Sequence, residues 1–358
     1  MIRCSRCLLP ESYPGIEFDT DGVCNICREA PPYTPLGEEE LRRRTEPFRN
    51  RGGKYDAVVM FSGGRDSTYV LYYAVTQLRL NVLAYTVDNG FLPDETHENI
   101  RTAVERLGVD HEMVRHNLLR DSLKAVLPAY LHNPSPAMIG LLCLGCRSAI
   151  KKAYIHGARM AGTPLVLLGD GEPETSFASA FFTKATHPLL RITGVMAGMG
   201  WELLKNPRYL LTPCIPWRMM AEAMQYFVLP HLRRVLTPDI RIFGVFHFLP
   251  WIEEEITRVI SGELGWRQWS KTRAAWRSDC KIAMLKNYLY HRTLGFSKND
   301  DVISGLIRRG IITSRDEALA RLERENVFND DALRDLIDDI GLPPALLPKL
   351  GIPTEHPL

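Results

Sequence analysis

A buried strand that runs into a two-glycine turn and then a helix is the feature that most restricts this chain. Residues 55–61, Tyr-Asp-Ala-Val-Val-Met-Phe, form an apolar run of strand length. Ser62-Gly63-Gly64-Arg65-Asp66-Ser67 follows, and residues 66–79 carry helical spacing. Two glycines let a backbone turn sharply and bring its N–H groups against an anion. The positive end of the next helix falls on the same spot. Ser62 and Ser67 offer hydroxyl donors, and Arg65 offers a fixed charge with bidentate geometry. Gly-Gly turns are common, and Asp66 alone would suit an ordinary cap. The complete strand, loop and helix arrangement points to anion binding instead. It is not a Walker A loop, because G-x-x-x-x-G-K-S/T is absent.

The pattern continues beyond this unit. Residues 81–88 and 165–168 are further apolar strands, and His111-Glu112-Met113-Val114 is a third candidate. Residues 94–107 and 147–161 are helical, the first with Asp94 as a candidate cap. Alternating strands and helices predict an α/β fold with a doubly wound, mostly parallel sheet. Ligands then sit beyond the carboxyl ends of the strands. From about residue 200 aromatic residues and prolines become dense, and residues 282–295, 301–324 and 330–340 read as helices. The expected organisation is a cysteine module over 1–30, a linker over 31–54, a nucleotide-binding domain over 55–200 and a mixed, mainly helical region over 201–358. Within the linker, Glu38-Glu39-Glu40-Leu41-Arg42-Arg43-Arg44 suits a short solvated helix, acidic first and basic last.

Eight cysteines are present, six of them in three C-x-x-C pairs. Cys4/Cys7 and Cys24/Cys27 stand sixteen residues apart, the spacing of a four-thiolate zinc ribbon. Thirty residues cannot build a core alone, so a metal would supply the folding energy. Four thiolates also leave no open coordination position, which makes the site structural. A rubredoxin-like iron site has the same ligands. Cys143-Leu144-Gly145-Cys146 precedes a basic helix, and Cys280 and Cys214 lie later. These can form a second metal site, a redox dithiol or buried thiols.

The formal net charge is +2, so no global field favours nucleic acid or membrane. No signal peptide and no membrane-spanning apolar run is evident, and the expectation is a cytoplasmic protein.

The segment Ser62-Gly63-Gly64-Arg65-Asp66-Ser67 resembles the loop of the PP-loop ATP pyrophosphatases (adenine nucleotide alpha hydrolase-like fold), with Arg65 where lysine is frequent. The resemblance implies cleavage of ATP between its α- and β-phosphates, adenylation of a substrate and release of pyrophosphate. It places Ser62, Gly63, Gly64, Asp66 and Ser67 on the phosphates and Asp88 near the adenosine. It makes Asp66, Arg65 and Asp170 the catalytic set, with Asp170, then Glu174, as candidates for Mg2+ or substrate.

Two branches of that family share more. Cys143, Cys146 and Cys280 resemble the three cysteines that hold a [4Fe–4S] cluster in PP-loop tRNA thiolation enzymes. That likeness implies a sulfur donor and a tRNA, nucleoside or small-metabolite acceptor. Cys4-Ser5-Arg6-Cys7-Leu8-Leu9-Pro10, Gly22-Val23-Cys24-Asn25-Ile26-Cys27, Lys286-Asn287-Tyr288-Leu289-Tyr290 and Leu294-Gly295-Phe296-Ser297-Lys298-Asn299-Asp300-Asp301 are similar to the N-acetyl sugar amidotransferases of surface-polysaccharide synthesis. That likeness touches both ends of the chain and implies a nucleotide-linked sugar as acceptor. Ammonia would come from a separate glutaminase. The acceptor pocket is expected from residues 175–280, and His187, His247 and His291 are candidates for a base without an assigned role.

Overall fold

A computed structural model describes residues 1–115, 118–170, 180–183, 188–208 and 239–354. After the cysteine module, α1 (Glu38–Thr45) leads into an alternating run: β1 (Ala57–Met60), α2 (Arg65–Thr76), β2 (Val82–Asp88), α3 (Asp94–Leu107) and β3 (Asp110–Arg115). Helices α4 (Leu118–His132), α5 (Pro136–Leu141) and α6 (Leu144–Ala161) precede β4 (Leu165–Leu168). Then come α7 (Pro188–Lys205) and β5 (Arg241–Gly244). The rest is helical: α8 (Glu253–Leu264), α9 (Lys281–Leu294), α10 (Lys298–Arg308), α11 (Arg315–Glu325) and α12 (Asp330–Ile340). No described helix is long and apolar enough to cross a membrane.

The five strands are all parallel, in the order β3-β2-β1-β4-β5. Strand order reverses between β1 and β4, and such a switch point opens a crevice at the carboxyl ends of the strands. β1 and β4 are buried over nearly their whole length, because helices cover both faces. Helix α6 packs on one face, and α2, with α3 and α8 beside it, on the other. Strand β5 and helix α8 come from beyond residue 200, so the sheet layer draws on sequence outside 55–200.

The helix expected over residues 301–324 is two helices. Gly310 takes φ +70° after α10, and Ser314 accepts a hydrogen bond from Glu317 N–H to start α11. The chain needs this break to wrap the cysteine module. Arg3 pairs with Asp300 at 2.7 Å, and Tyr13 donates to Asp301 at 3.0 Å. Asp300 is fully buried, but it also caps α10 through Ser297 N–H at 2.8 Å, so its charge is satisfied. Residues 1–28 therefore share one hydrophobic core with α9 and α12.

Candidate nucleotide and metal sites

The phosphate loop sits at the switch point. Gly63 is left-handed at φ +76°, and a Cβ there would lie 2.7 Å from Ile100 Cγ1 and 2.9 Å from the Thr96 carbonyl. Only glycine fits. Gly64 is the N-cap of α2 and has no side-chain cap, so the helix N-terminus is open to an anion. Ser62 and Ser67 close the loop: the Ser67 hydroxyl accepts from Ser62 N–H at 3.1 Å and lies 3.0 Å from the Ser62 hydroxyl. Trp266 Nε1–H donates to the Gly63 carbonyl at 3.0 Å and pins the turn from outside.

A cavity of about 190 Å3 opens over this loop. Ser62, Gly64, Asp66 and Ser67 form its floor, with Gly169 and Asp170 from the end of β4. Tyr85 and Val87 of β2 and Ile150 and Tyr154 of α6 supply an apolar wall. Residues 275–279 complete it, and a Cβ at Gly64 would lie 3.0 Å from the Asp279 carboxyl carbon.

Two expected site residues are engaged by neighbouring groups. Arg65 is 7% exposed, lines the cavity, and pairs with Glu253 of α8 and with Asp66, its guanidinium 4.8 Å above the Trp251 ring. Arg321 of α11 grips the same Glu253 at 2.7 Å. Arg65 thus ties α2 to α8, and its charge is already matched. Asp88 follows the strand alternation to the side opposite Val87, where its carboxylate accepts from Gly90 N–H at 2.7 Å. Asp66 and Asp170 do face the cavity. Of the candidate bases, His291 packs on Phe328, with ring centroids 5.6 Å apart. Glu174, His187 and Cys214 lie outside the described residues.

The cysteine quartet is tight. Cys4 and Cys27 sulfurs are 3.9 Å apart, Cys7 and Cys24 sulfurs 3.7 Å, and all four lie within 4.8 Å of one another. A tetrahedral ion with metal–sulfur bonds of about 2.3 Å requires sulfurs ~3.8 Å apart. Backbone N–H groups of Cys7, Cys24 and Cys27 donate to quartet sulfurs at 3.3–3.4 Å, and Arg308 donates to Cys7 Sγ at 3.4 Å. Hydrogen bonds from the Cys24 and Cys27 thiols hold the Cys7 thiol far below its usual range. The Cys27 thiol is pushed up, chiefly by its sulfur neighbours. Cys24 is likewise pushed up, with the neighbouring Cys7 sulfur and burial both raising it.

Cys143, Cys146 and Cys280 form a different kind of cluster. Asn89 reaches two of them: its side-chain N–H groups donate to Cys146 Sγ at 3.6 Å and Cys280 Sγ at 3.4 Å. Burial pushes the Cys146 thiol up to about 12, and the Cys280 and Cys143 sulfurs add to the rise. Burial also raises Cys280. Cys280 follows Asp279 in the chain, so the cluster backs directly onto the nucleotide cavity. Sequence reasoning placed the end of β2, Val87-Asp88-Asn89-Gly90, near the adenosine and did not foresee the contact of Asn89 with these cysteines.

Comparison with known proteins bears on this geometry. Residues 56–130 match the family model of the queuosine biosynthesis protein QueC. Over those residues the α/β domain is similar to that PP-loop family. The match covers β1, the PP-loop and β2 through most of α4. An uncharacterized protein from Methanocaldococcus jannaschii is 27% identical over 177 residues, 48% of this chain and 60% of that protein. Among solved structures, the chain is similar to the U34-tRNA thiolase NcsA from Methanococcus maripaludis with its [4Fe–4S] cluster. There the identity is 14%, the TM-score 0.35 and the coverage 87% of both chains. A glutamine-dependent NAD+ synthetase from Acinetobacter baumannii, in complex with ADP, is 16% identical at a TM-score of 0.28. That likeness covers 69% of this chain and 48% of the synthetase.

Proposed function

We propose that this PP-loop enzyme uses ATP to adenylate a carbonyl oxygen of a bound acceptor and then replaces that oxygen, with ammonia on an N-acetyl nucleotide-linked sugar. One observation carries the reading. A larger cavity, of about 630 Å3, adjoins the nucleotide cavity, and the two share Asp66, Gly169, Asp170 and Trp276 in their linings. An acceptor in the larger space meets the phosphates at those shared residues.

The chemistry balances in two steps. The amide oxygen attacks the α-phosphorus of ATP, the bond to the β-phosphate breaks, and pyrophosphate leaves. Ammonia then adds to the activated carbon, and the C–O bond breaks with its electrons leaving on AMP. An amide oxygen leaves poorly, and adenylation makes it a good leaving group. Serine hydroxyls and loop N–H groups at Ser62–Ser67 hold the phosphates by position and charge. Asp66 and Asp170 are the carboxylates placed to hold Mg2+, which would offset charge on the departing pyrophosphate. The ammonia source is a separate glutaminase. The quartet Cys4, Cys7, Cys24 and Cys27 holds a structural zinc ion.

The acceptor argument uses both ends of the chain. Segments similar to the sugar amidotransferases, one containing Ile26 and another Lys298 and Asp301, meet in the wall of the larger cavity. A second reading is sulfur transfer, to a tRNA, nucleoside or small metabolite. Cys143, Cys146 and Cys280 favour it, because Asn89 holds Cys146 and Cys280 near one another, Cys280 adjoins Asp279 of the nucleotide cavity, and three thiolates are a ligand set for a [4Fe–4S] cluster.

The test supplies ATP, Mg2+ and a panel of nucleotide-linked N-acetyl sugars with either ammonium or sulfide, using anaerobically purified protein assayed for iron. AMP release that depends on ammonium, from iron-free protein, supports nitrogen transfer. AMP release that depends on sulfide and on bound iron replaces it with the second reading.

A further inference from the structure

The connection between α8 and α9 ends in Arg277-Ser278-Asp279-Cys280, and only its cysteine had an expected role. Arg277 is a non-glycine residue with left-handed backbone, at φ +54°. After that turn Ser278 and Asp279 line the nucleotide cavity. Both are 7% exposed. A buried polar wall is thus brought to the phosphate loop from late in the sequence.

Asp279 is poorly matched by protein. Its Oδ1 lies 3.4 Å from Arg277 Nε, a long contact with a side chain that is 46% exposed. Among the described residues no other ion pair or hydrogen bond reaches its carboxylate. Its Oδ2 stands 3.1 Å from the point that a Cβ on Gly64 would occupy. Gly64 is the N-cap of α2, yet the carboxylate does not cap the helix, which has no side-chain cap. A buried carboxylate with one long ion pair is costly. Here it also faces the place where phosphate oxygens would rest, so two anions meet in a small cavity. A cation that binds both turns that repulsion into attraction.

The surrounding donors fit such a cation. Asp66 stands in the first turn of α2, where its Oδ1 accepts from Arg65 Nε–H at 3.0 Å. Asp170 follows β4, and the end of that strand closes on α2, since a Cβ at Gly169 would lie 3.0 Å from Ser67 N. Asp279 reaches the same cavity from a third segment, against Gly64. Carboxylates are hard oxygen donors, and Mg2+ takes them together with phosphate oxygens and water. The thiol of the next residue, Cys280, is soft and does not compete for it.

We propose that Asp279 completes, with Asp66 and Asp170, a divalent-cation site that forms when the nucleotide is bound. The proposal rests on the adenylating function for the nucleotide, and its test reads binding rather than turnover. Zinc-replete protein at saturating α,β-methylene-ATP, which is not cleaved between the α- and β-phosphates, is titrated with Mn2+. Loss of the free-ion electron paramagnetic resonance signal reports binding. Calorimetry gives the affinity for α,β-methylene-ATP with no added divalent cation.

Asp279→Asn should weaken Mn2+ binding by about tenfold or more. Its affinity for the metal-free nucleotide should stay the same or rise, because a negative charge has left the phosphate wall. Arg277→Ala should keep Mn2+ binding within about twofold of the parent, since Arg277 only touches the carboxylate from outside. Asp279→Ser, which also removes the charge, gives the same reading should the amide not fold. Unchanged Mn2+ affinity in the charge-removing variants overturns the proposal. So does a metal-free nucleotide affinity that falls in step with Mn2+ binding, because Asp279 would then shape the loop rather than hold a cation. An equal loss in Arg277→Ala overturns it for the same reason. No binding of α,β-methylene-ATP by the parent, with Mn2+ present, strikes the adenylating function and the cation site together. Nucleotide binding with unchanged Mn2+ affinity in the variants strikes the cation site alone.

Discussion

The two cysteine sets use the same residue to opposite ends. Around Cys4, Cys7, Cys24 and Cys27 the sulfurs are 3.7–3.9 Å from their partners, backbone N–H groups point at them, and Arg308 adds a positive charge. The geometry there is that of four sulfurs collected on one ion. Around Cys146 and Cys280 the sulfurs are buried, Asn89 is a neutral donor, and burial pushes the thiols up against the opposing pull of Arg277 and Asn89. Burial there favours protonated sulfur until a cluster or cation arrives. The first set ties the N-terminal module to the helical core, whereas the second adjoins Asp279 in the wall of the candidate nucleotide cavity.

The contrast can be broken most forcefully at the quartet. Cys24→Ser with Cys27→Ser should remove the bound metal and cost several kcal/mol, since metal binding is folding energy in so small a module. Elemental analysis and thermal unfolding should show both losses together. An unchanged melting temperature in the metal-free variant would show that Tyr13–Asp301 and Arg3–Asp300 hold the module without metal.

A smaller effect should come from Arg308→Ala. It removes an outer hydrogen bond to Cys7, and a loss of about 10–100-fold in metal affinity is the expected range. Competition with a chromophoric chelator would measure it. Asn89→Leu should then cost about 1–3 kcal/mol in urea unfolding, because it removes the donor to both buried sulfurs and the carbonyl that accepts from Phe91 N–H. Quartet metal content should not change.

Least of all should happen at neutral pH to Cys146→Ala. Its effect should emerge in alkali, and the sign follows from the proton. Folded Cys146 keeps its proton up to about 12, against an ordinary value of 9.0. The folded chain therefore binds more protons than the unfolded one above about pH 9, and stability falls as pH rises through that window. In metal-free protein the urea midpoint should fall between pH 8 and pH 10.5, and the alanine variant should flatten the fall.

How much of this was legible in sequence depended on distance along the chain. β1, the phosphate loop, β2, α3 and β4 were readable because strand runs, glycines and helix spacing are local signals. The quartet was readable from spacing alone. Strand β5 was not, since Arg-Ile-Phe-Gly is four residues long and earns its place only by pairing with β4. The break after α10 was hidden because Gly310 and Ser314 interrupt an otherwise helical pattern. The pairing of Arg65 with Glu253, far away in sequence, was not legible either. Asn89 between two cysteines and Asp279 against the phosphate loop are likewise products of tertiary contact.

The central claim is that the PP-loop directs cleavage of ATP between its α- and β-phosphates. Nucleotide products should be separated by anion exchange after incubation with Mg2+, ammonium and nucleotide-linked N-acetyl sugars, alongside an Asp66→Ala control. The account predicts AMP and pyrophosphate in equal amounts, with a rate about a hundredfold lower in the variant. ADP and orthophosphate as products, or an undiminished rate in the variant, would contradict it.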